Sequence, residues 1–351
     1  MDSLVIYIMM ESILALLVVL VNILVCVTVY LHKELRSITN YLIACLAMAD
    51  LGVGALGIPF SVVLSLGKTL CFYSCLFMAC FPLVTAQFSM LLLLVIAINM
   101  HLKIRHSARY AAIVNKRKVI ALVFLCWVVS VIAGFTPLMG WNQMKTYTER
   151  NITTTSIKQP LERSIIGKNL PYGGFLSKVY YNNRRNMSYS EIHRGHLGQC
   201  SFEATVSPEY LVYFHFLVCT LLPLLIMLGL YVDLFRIVQS YYAAQGMPTA
   251  KRSEVQTARS LFLMLGLFCL LWVPLNVNNM LWLFCSTCSQ PLWVSQLTVF
   301  LSHLNSLTNP LLYAMRKKNF GAALRLVFVR YILCIPRCKR CCPDTKVYPK
   351  V

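Results

Sequence analysis

The sequence predicts an all-α membrane protein, a bundle of seven spanning helices followed by a short amphipathic eighth. Three observations predict it. Only 13% of the 351 residues are charged and 58% are hydrophobic, whereas an ordinary soluble domain carries about 25% charged residues. Seven apolar stretches recur along the chain, each long enough as helix to cross a hydrocarbon core of about 30 Å. The basic residues gather in the segments between those stretches, as they do in membrane proteins.

The stretches are 5–31, 41–66, 72–102, 119–141, 208–240, 255–286 and 292–315. Helix is the economical form for each, because a spanning segment must satisfy its own backbone hydrogen bonds. The first resembles a signal peptide in position, but no basic region precedes it, it is too long, and Asn22 interrupts it. The domain expected is 1–331, which includes a long loop at 142–199, followed by a tail at 332–351. That loop is rich in Tyr, Asn, Ser and Arg without apolar periodicity, so most of it is expected to lack regular structure.

Orientation follows from the short loops. Lys103, Arg105, Arg109, Lys116, Arg117 and Lys118 fall in one loop without an acid, and Arg316, Lys317 and Lys318 follow the seventh stretch. With seven spans these lie on one side, expected to be cytoplasmic, which puts the N-terminus outside the cell and the chain in the plasma membrane. The sequons at Asn151 and Asn186 lie in the opposite, outer loop and are candidate glycosylation sites. A net charge of +20 invites a nucleic-acid reading, but no basic stripe interleaved with aromatics is present.

Ionisable and amide side chains inside spans are costly, and each is a functional hypothesis. Glu11, Asp50, Gln87, Ser89, His303, Asn305, Ser306 and Asn309 all fall there. The bland alternative is that they act as interhelical glue, which suits Asn22 well. It suits Asp50 poorly, because a lone buried carboxylate needs a cation, a proton or several donors. Pro274, two residues after Trp272, and Pro310, in Asn309-Pro310-Leu-Leu-Tyr313, place kinks in the last two spans.

Taken in order, Asn22, Leu46-Ala-Met-Ala-Asp50, Cys75, Trp127, Pro223, Tyr231, Trp272-Val-Pro274 and Asn309-Pro310-Leu-Leu-Tyr313 resemble the rhodopsin-like G-protein-coupled receptors. Within that family Glu11, Phe72–Met78, Phe135–Asn142, Cys200-Ser-Phe202-Glu203, Trp272–Asn279 and Leu301-Ser302-His303 resemble the adenosine receptors. The stretch Phe72–Met78 is most like the third subtype, while Cys285-Ser-Thr-Cys288 is more like the first or second. The resemblance implies a purine-nucleoside pocket in which Phe202 stacks on the base and Asn279 and Glu203 bind its edge. Ser302 and His303 would bind ribose hydroxyls, with Glu11 orienting His303, over an apolar floor of Leu275 and Trp272. It implies a sodium ion at Asp50, Ser89, Asn305, Ser306 and Asn309, with Trp272 above, and no other cofactor. It also pairs Cys75 with Cys200, and it names a heterotrimeric G protein, of the inhibitory class, as the partner. Receptor oligomers and membrane lipid are further expected partners.

Cys285 and Cys288, in a short outer loop, read as a local disulfide, since a zinc site needs further ligands nearby. Cys334, Cys338, Cys341 and Cys342 lie among basic residues after the bundle, with Cys334 the first candidate for palmitoylation.

The chain departs from the family at the end of the third span, where Asn99-Met100-His101 stands in place of Asp-Arg-Tyr. The charge-assisted bonds of the family arginine, including one to the position held by Glu254, cannot form from Met100. Tyr231 and Tyr313 belong to the same coupling region by resemblance. An atypical receptor with weak or no G-protein coupling is therefore the competing reading. Ala86 occupies the family's ribose-facing threonine position, and His215 and Asn276 replace the usual residues at two more pocket positions. A transporter is disfavoured by the lack of paired broken spans, and no nucleophile–base or metal-ligand spacing suggests an enzyme.

Overall fold

Lipid demands a bundle, and the computed structural model is one. It describes residues 3–35, 37–144, 197–243, 249–285, 288, 291–316 and 318–329. The long helices are α1 (Ser3–Leu31), α2 (Ile38–Ser65), α3 (Phe72–Arg105) and α4 (Lys116–Phe135). Then come α5, a π-helical stretch Tyr210–Leu221 continued as Leu222–Ala243, α6 (Thr249–Phe284), α7 (Leu292–Arg316) and the short α8 (Lys318–Val327). The expected spans hold, with the fourth ending earlier: α4 gives way at Thr136 to a 3₁₀ turn ahead of Pro137 and Gly140.

Six of the described helices are long and apolar enough to cross a membrane on composition alone. Helix α7 misses that criterion because Gln296, Thr298, Ser302, His303, Asn305, Ser306 and Asn309 all lie along it, and all are buried. Its polar face turns inward against α1 and α6, where the cost of exposing polar groups to lipid is avoided. The outward faces are apolar instead: Leu16, Phe124, Leu225 and Leu270 are each more than half exposed.

Helix α3 is the axis, packing on α2, α4, α5 and α6. Gly134 permits its closest crossing. A Cβ there would lie 2.7 Å from the Val84 backbone nitrogen, so only glycine lets α4 approach α3 this closely. Pro82 lies inside α3 without ending it. Helix starts carry side-chain caps: Ser37 Oγ accepts from the Asn40 amide and Asn115 Oδ1 from the Lys118 amide, each satisfying one orphan donor of a first turn. Helix α2 widens into a π-helical turn at Val53–Gly57.

At one end of the bundle, strand β1 (Thr69–Cys71) pairs antiparallel with β2 (Leu197–Gln199). Gly67, at φ +61°, makes the turn into β1, a conformation glycine enters without a Cβ penalty. A disulfide joins Cys75 at the start of α3 to Cys200 just after β2, and a second joins Cys285 to Cys288. The sequence carried no signal for the strands, because three-residue strands show no usable alternation. The sequons at Asn151 and Asn186, the cysteine cluster headed by Cys334, and most of the 142–199 loop lie outside the described residues.

Candidate functional site: a nucleoside-sized cavity and a paired inner end

Beneath the β1–β2 pair, a cavity of about 460 Å³ opens among α1, α2, α3, α5, α6 and α7. The loop disulfide sets its roof: after Cys200 the chain makes one helical turn, Phe202–Thr205, capped by Ser201 Oγ accepting from the Ala204 amide. That turn brings Phe202 and Glu203 to the cavity, where Leu275, Trp272 and Asn279 arrive from α6 and Ser302 and His303 from α7. The lining is mainly apolar with a few convergent polar groups, the usual makeup of a small-molecule site.

Several of those polar groups are buried without a partner among the described residues. They are Trp272 Nε1, His215 Nε2, Gln296 Nε2 and Asn305 Oδ1, all on cavity-lining residues. Others are held in place. Ser302 Oγ donates to the Val299 carbonyl at 2.6 Å, and Asn276 Nδ2 donates to the Trp272 carbonyl at 2.9 Å. At the rim Asn278 Nδ2 donates to Ser295 Oγ at 3.2 Å, and Ser295 lies 3.4 Å from Glu203 Oε1.

Glu11 does not line the cavity. It is fully buried in α1, with both carboxylate oxygens 3.0 Å from His303 Nδ1, so it reaches the site only through that ring. Fixing one ring nitrogen decides what the other presents to the cavity. Sequence reasoning missed Tyr7, Ser61, Ser65, Ser295 and Gln296, which also line the space. A signal existed for Gln296, a buried amide in a spanning segment, but it was not singled out.

Below Trp272, which stacks on Phe268 at 5.6 Å, the predicted ion-pocket residues come together. Asp50 is fully buried; its Oδ1 accepts from Ser89 Oγ at 3.0 Å and its Oδ2 from Asn309 Nδ2 at 2.8 Å. Ser306 reaches the same carboxylate, and its chain neighbour Asn305 has a buried Oδ1 with no donor among the described residues. Carboxylate, hydroxyl and amide oxygens in one buried place suit a hard monovalent cation. Asn22 ties α1 here, donating to the Val18 and Ser306 carbonyls.

At the far end of α3, Met100 is fully buried in the apolar core, where its sulfur lies 3.9 Å from Thr39 Oγ1. Asn99 turns inward too: its Nδ2 donates to Thr39 Oγ1 at 3.2 Å, and its Oδ1 accepts from the Tyr110 hydroxyl at 2.8 Å. His101 and Arg105, one turn apart on α3, both meet Asp233 Oδ2 of α5, at 2.7 and 2.5 Å. Both basic side chains therefore converge on Asp233, a residue that sequence reasoning did not bring to the site. Tyr231 packs edge-on against Phe262. The side chains of Glu254 and Tyr313 lie outside the described residues.

This bundle, with its disulfide-roofed cavity and polar inner helices, has the architecture of a seven-helix membrane receptor. The family model for the 7 transmembrane receptor (rhodopsin family) matches residues 21–167 and 174–313. The chain therefore belongs to the rhodopsin family of seven-transmembrane receptors, in its adenosine-receptor branch. It is 36% identical to the adenosine receptor A2a of Homo sapiens over 337 residues, 93% of this chain and 73% of the relative. It is 34% identical to adenosine receptor A2b of Gallus gallus, over 95% of this chain and 92% of that one. Against adenosine receptor A3 of Canis lupus familiaris the identity is 32%, over 93% and 92%. These identities lie too close together to single out the third subtype. The chain is a multi-pass membrane receptor, not an enzyme.

Proposed function

We propose that the cavity binds adenosine or a close nucleoside and that the receptor passes the signal to a heterotrimeric G protein, of the inhibitory class. One observation carries the ligand reading: Phe202, Asn279, Ser302 and His303, far apart in sequence, converge on one nucleoside-sized space. A flat aromatic offers stacking area at low entropic cost, and an amide supplies one donor and one acceptor for a base edge. The similarity to three adenosine-receptor subtypes supports the same reading. The basic residues Lys103, Arg105, Lys116, Arg117 and Lys118 gather at the end of the bundle away from the cavity, which supports a pocket and N-terminus outside the cell. When bound, a sodium ion at Asp50, Ser89 and Asn305 would supply the positive charge that this carboxylate otherwise lacks. Membrane lipid and other receptor copies are the remaining proposed partners.

Radioligand binding of a non-selective adenosine agonist to membranes from expressing cells tests this. Saturable binding lost in both Asn279→Ala and Phe202→Ala supports the pocket. No binding by surface-expressed receptor at any reachable concentration removes the adenosine reading.

A second reading, an atypical receptor that binds ligand but couples weakly, is favoured by Met100. It is fully buried where the family places an arginine, and a thioether cannot make charge-assisted bonds. Agonist-stimulated nucleotide exchange in Met100→Arg decides: a rise above the unaltered receptor supports weak coupling, and strong exchange without the substitution removes it.

A further inference from the structure

Helix α5 lines the cavity through its π-helical stretch, Tyr210–Leu221, and His215 sits near the middle of it. Such wide turns displace side chains from regular register and recur at functional sites. Two tethers hold this stretch in place. The Tyr210 hydroxyl donates to the Ala133 carbonyl at 2.6 Å, and Gln87 Nε2 of α3 donates to the Cys219 carbonyl at 3.1 Å.

The His215 ring is 6% exposed and lies beside the Leu83 backbone on α3. Its Nε2 is buried and meets no partner among the described residues. A neutral imidazole donates from one nitrogen and accepts at the other. In the tautomer that carries its hydrogen on Nδ1, Nε2 presents a lone pair. Ala86 follows Leu83 by three residues on the same face of α3, lines the cavity, and offers only a methyl group. The neighbouring Thr85 turns toward α2 instead: its hydroxyl donates to the Phe81 and Pro82 carbonyls at 3.0 and 3.2 Å and lies 3.2 Å from where a Cβ on Gly57 would stand. On this wall the free polar atom therefore comes from α5.

We propose that His215 Nε2 accepts a hydrogen bond from a ribose hydroxyl of the bound nucleoside, supplying from α5 the polar contact that Ala86 cannot make. His215 is thus a specificity-determining residue: it selects ligands with a donor at that point. This rests on the reading that the occupant is a nucleoside. Removing the matching hydroxyl leaves the lone pair buried and unsatisfied.

The test is competition binding of adenosine and its 2′-, 3′- and 5′-deoxy forms to the unaltered receptor and to His215→Leu, with surface expression measured alongside. One deoxy form is expected to bind about tenfold or more weakly than adenosine to the unaltered receptor, with that penalty falling to about twofold or less in His215→Leu. His215→Phe, which keeps the ring volume, carries the same comparison if His215→Leu does not reach the surface. Adenosine binding with an equal penalty in both receptors, or with no penalty in either, overturns this inference and leaves the nucleoside reading standing. Failure of adenosine itself to bind surface-expressed unaltered receptor overturns both.

Discussion

Around the cavity, Trp272 Nε1, His215 Nε2 and Gln296 Nε2 lie buried with no partner among the described residues, whereas at the opposite end of α3 the polar groups consume one another. There Asn99 bonds Thr39 and Tyr110, and His101 and Arg105 share Asp233. Both ends belong to one bundle with the same central helix, so the difference is not one of fold. The pocket end keeps donors and acceptors free at a cost in stability that a ligand can offset. The inner end closes these polar groups onto one another and fills core space with Met100, whose sulfur meets Thr39 of α2.

The comparison is sharpened first at the point where the pocket end does contain a closed pair. Glu11→Ala removes both acceptors from His303 and leaves a void, so it should cost about 3 kcal/mol. A clear drop in the melting temperature of solubilised receptor is the expected readout, and Glu11→Gln should recover part of it. Asn99→Leu comes next. It leaves the Thr39 and Tyr110 hydroxyls without their partner and should cost about 2 kcal/mol, measured by the same melt. A loss as small as that at a pocket orphan would break the contrast.

Gln296→Leu should leave the ligand-free melting temperature within the equivalent of about 0.5 kcal/mol, or raise it, because the amide nitrogen it removes already lacks a partner among the described residues. A large destabilisation there would show that the pocket end is paired after all. Asp233→Asn should affect stability least, since the carboxylate is over a third exposed and such pairs are screened by salt. Its expected signature is local: faster hydrogen exchange at the inner end of α5, with the difference from the unaltered receptor shrinking at high ionic strength.

Much of the candidate site was legible in the sequence because membrane burial makes polar residues conspicuous. Asp50, Ser89, Asn305 and Asn309 stand out among apolar neighbours, and Glu11 and His303 do so for the same reason. Asp233 falls inside the expected fifth span as well, but nothing near it in the chain points to the residues it meets. Its partners are also 128 and 132 residues away. The inward turn of Asn99 toward Tyr110 was hidden likewise, since the loop that carries Tyr110 reads only as basic.

What the sequence determined by itself was the solvent and the architecture. A chain this apolar must satisfy its backbone within helices, so span number and approximate boundaries follow from composition and length. Which polar side chains find partners and which stay open was decided by tertiary packing alone. The π-helical turns of α5, the close crossing at Gly134 and the disulfide-held roof set those distances to within an ångström. Hydrogen bonds are made or lost over that range, and no local pattern in the chain encodes it.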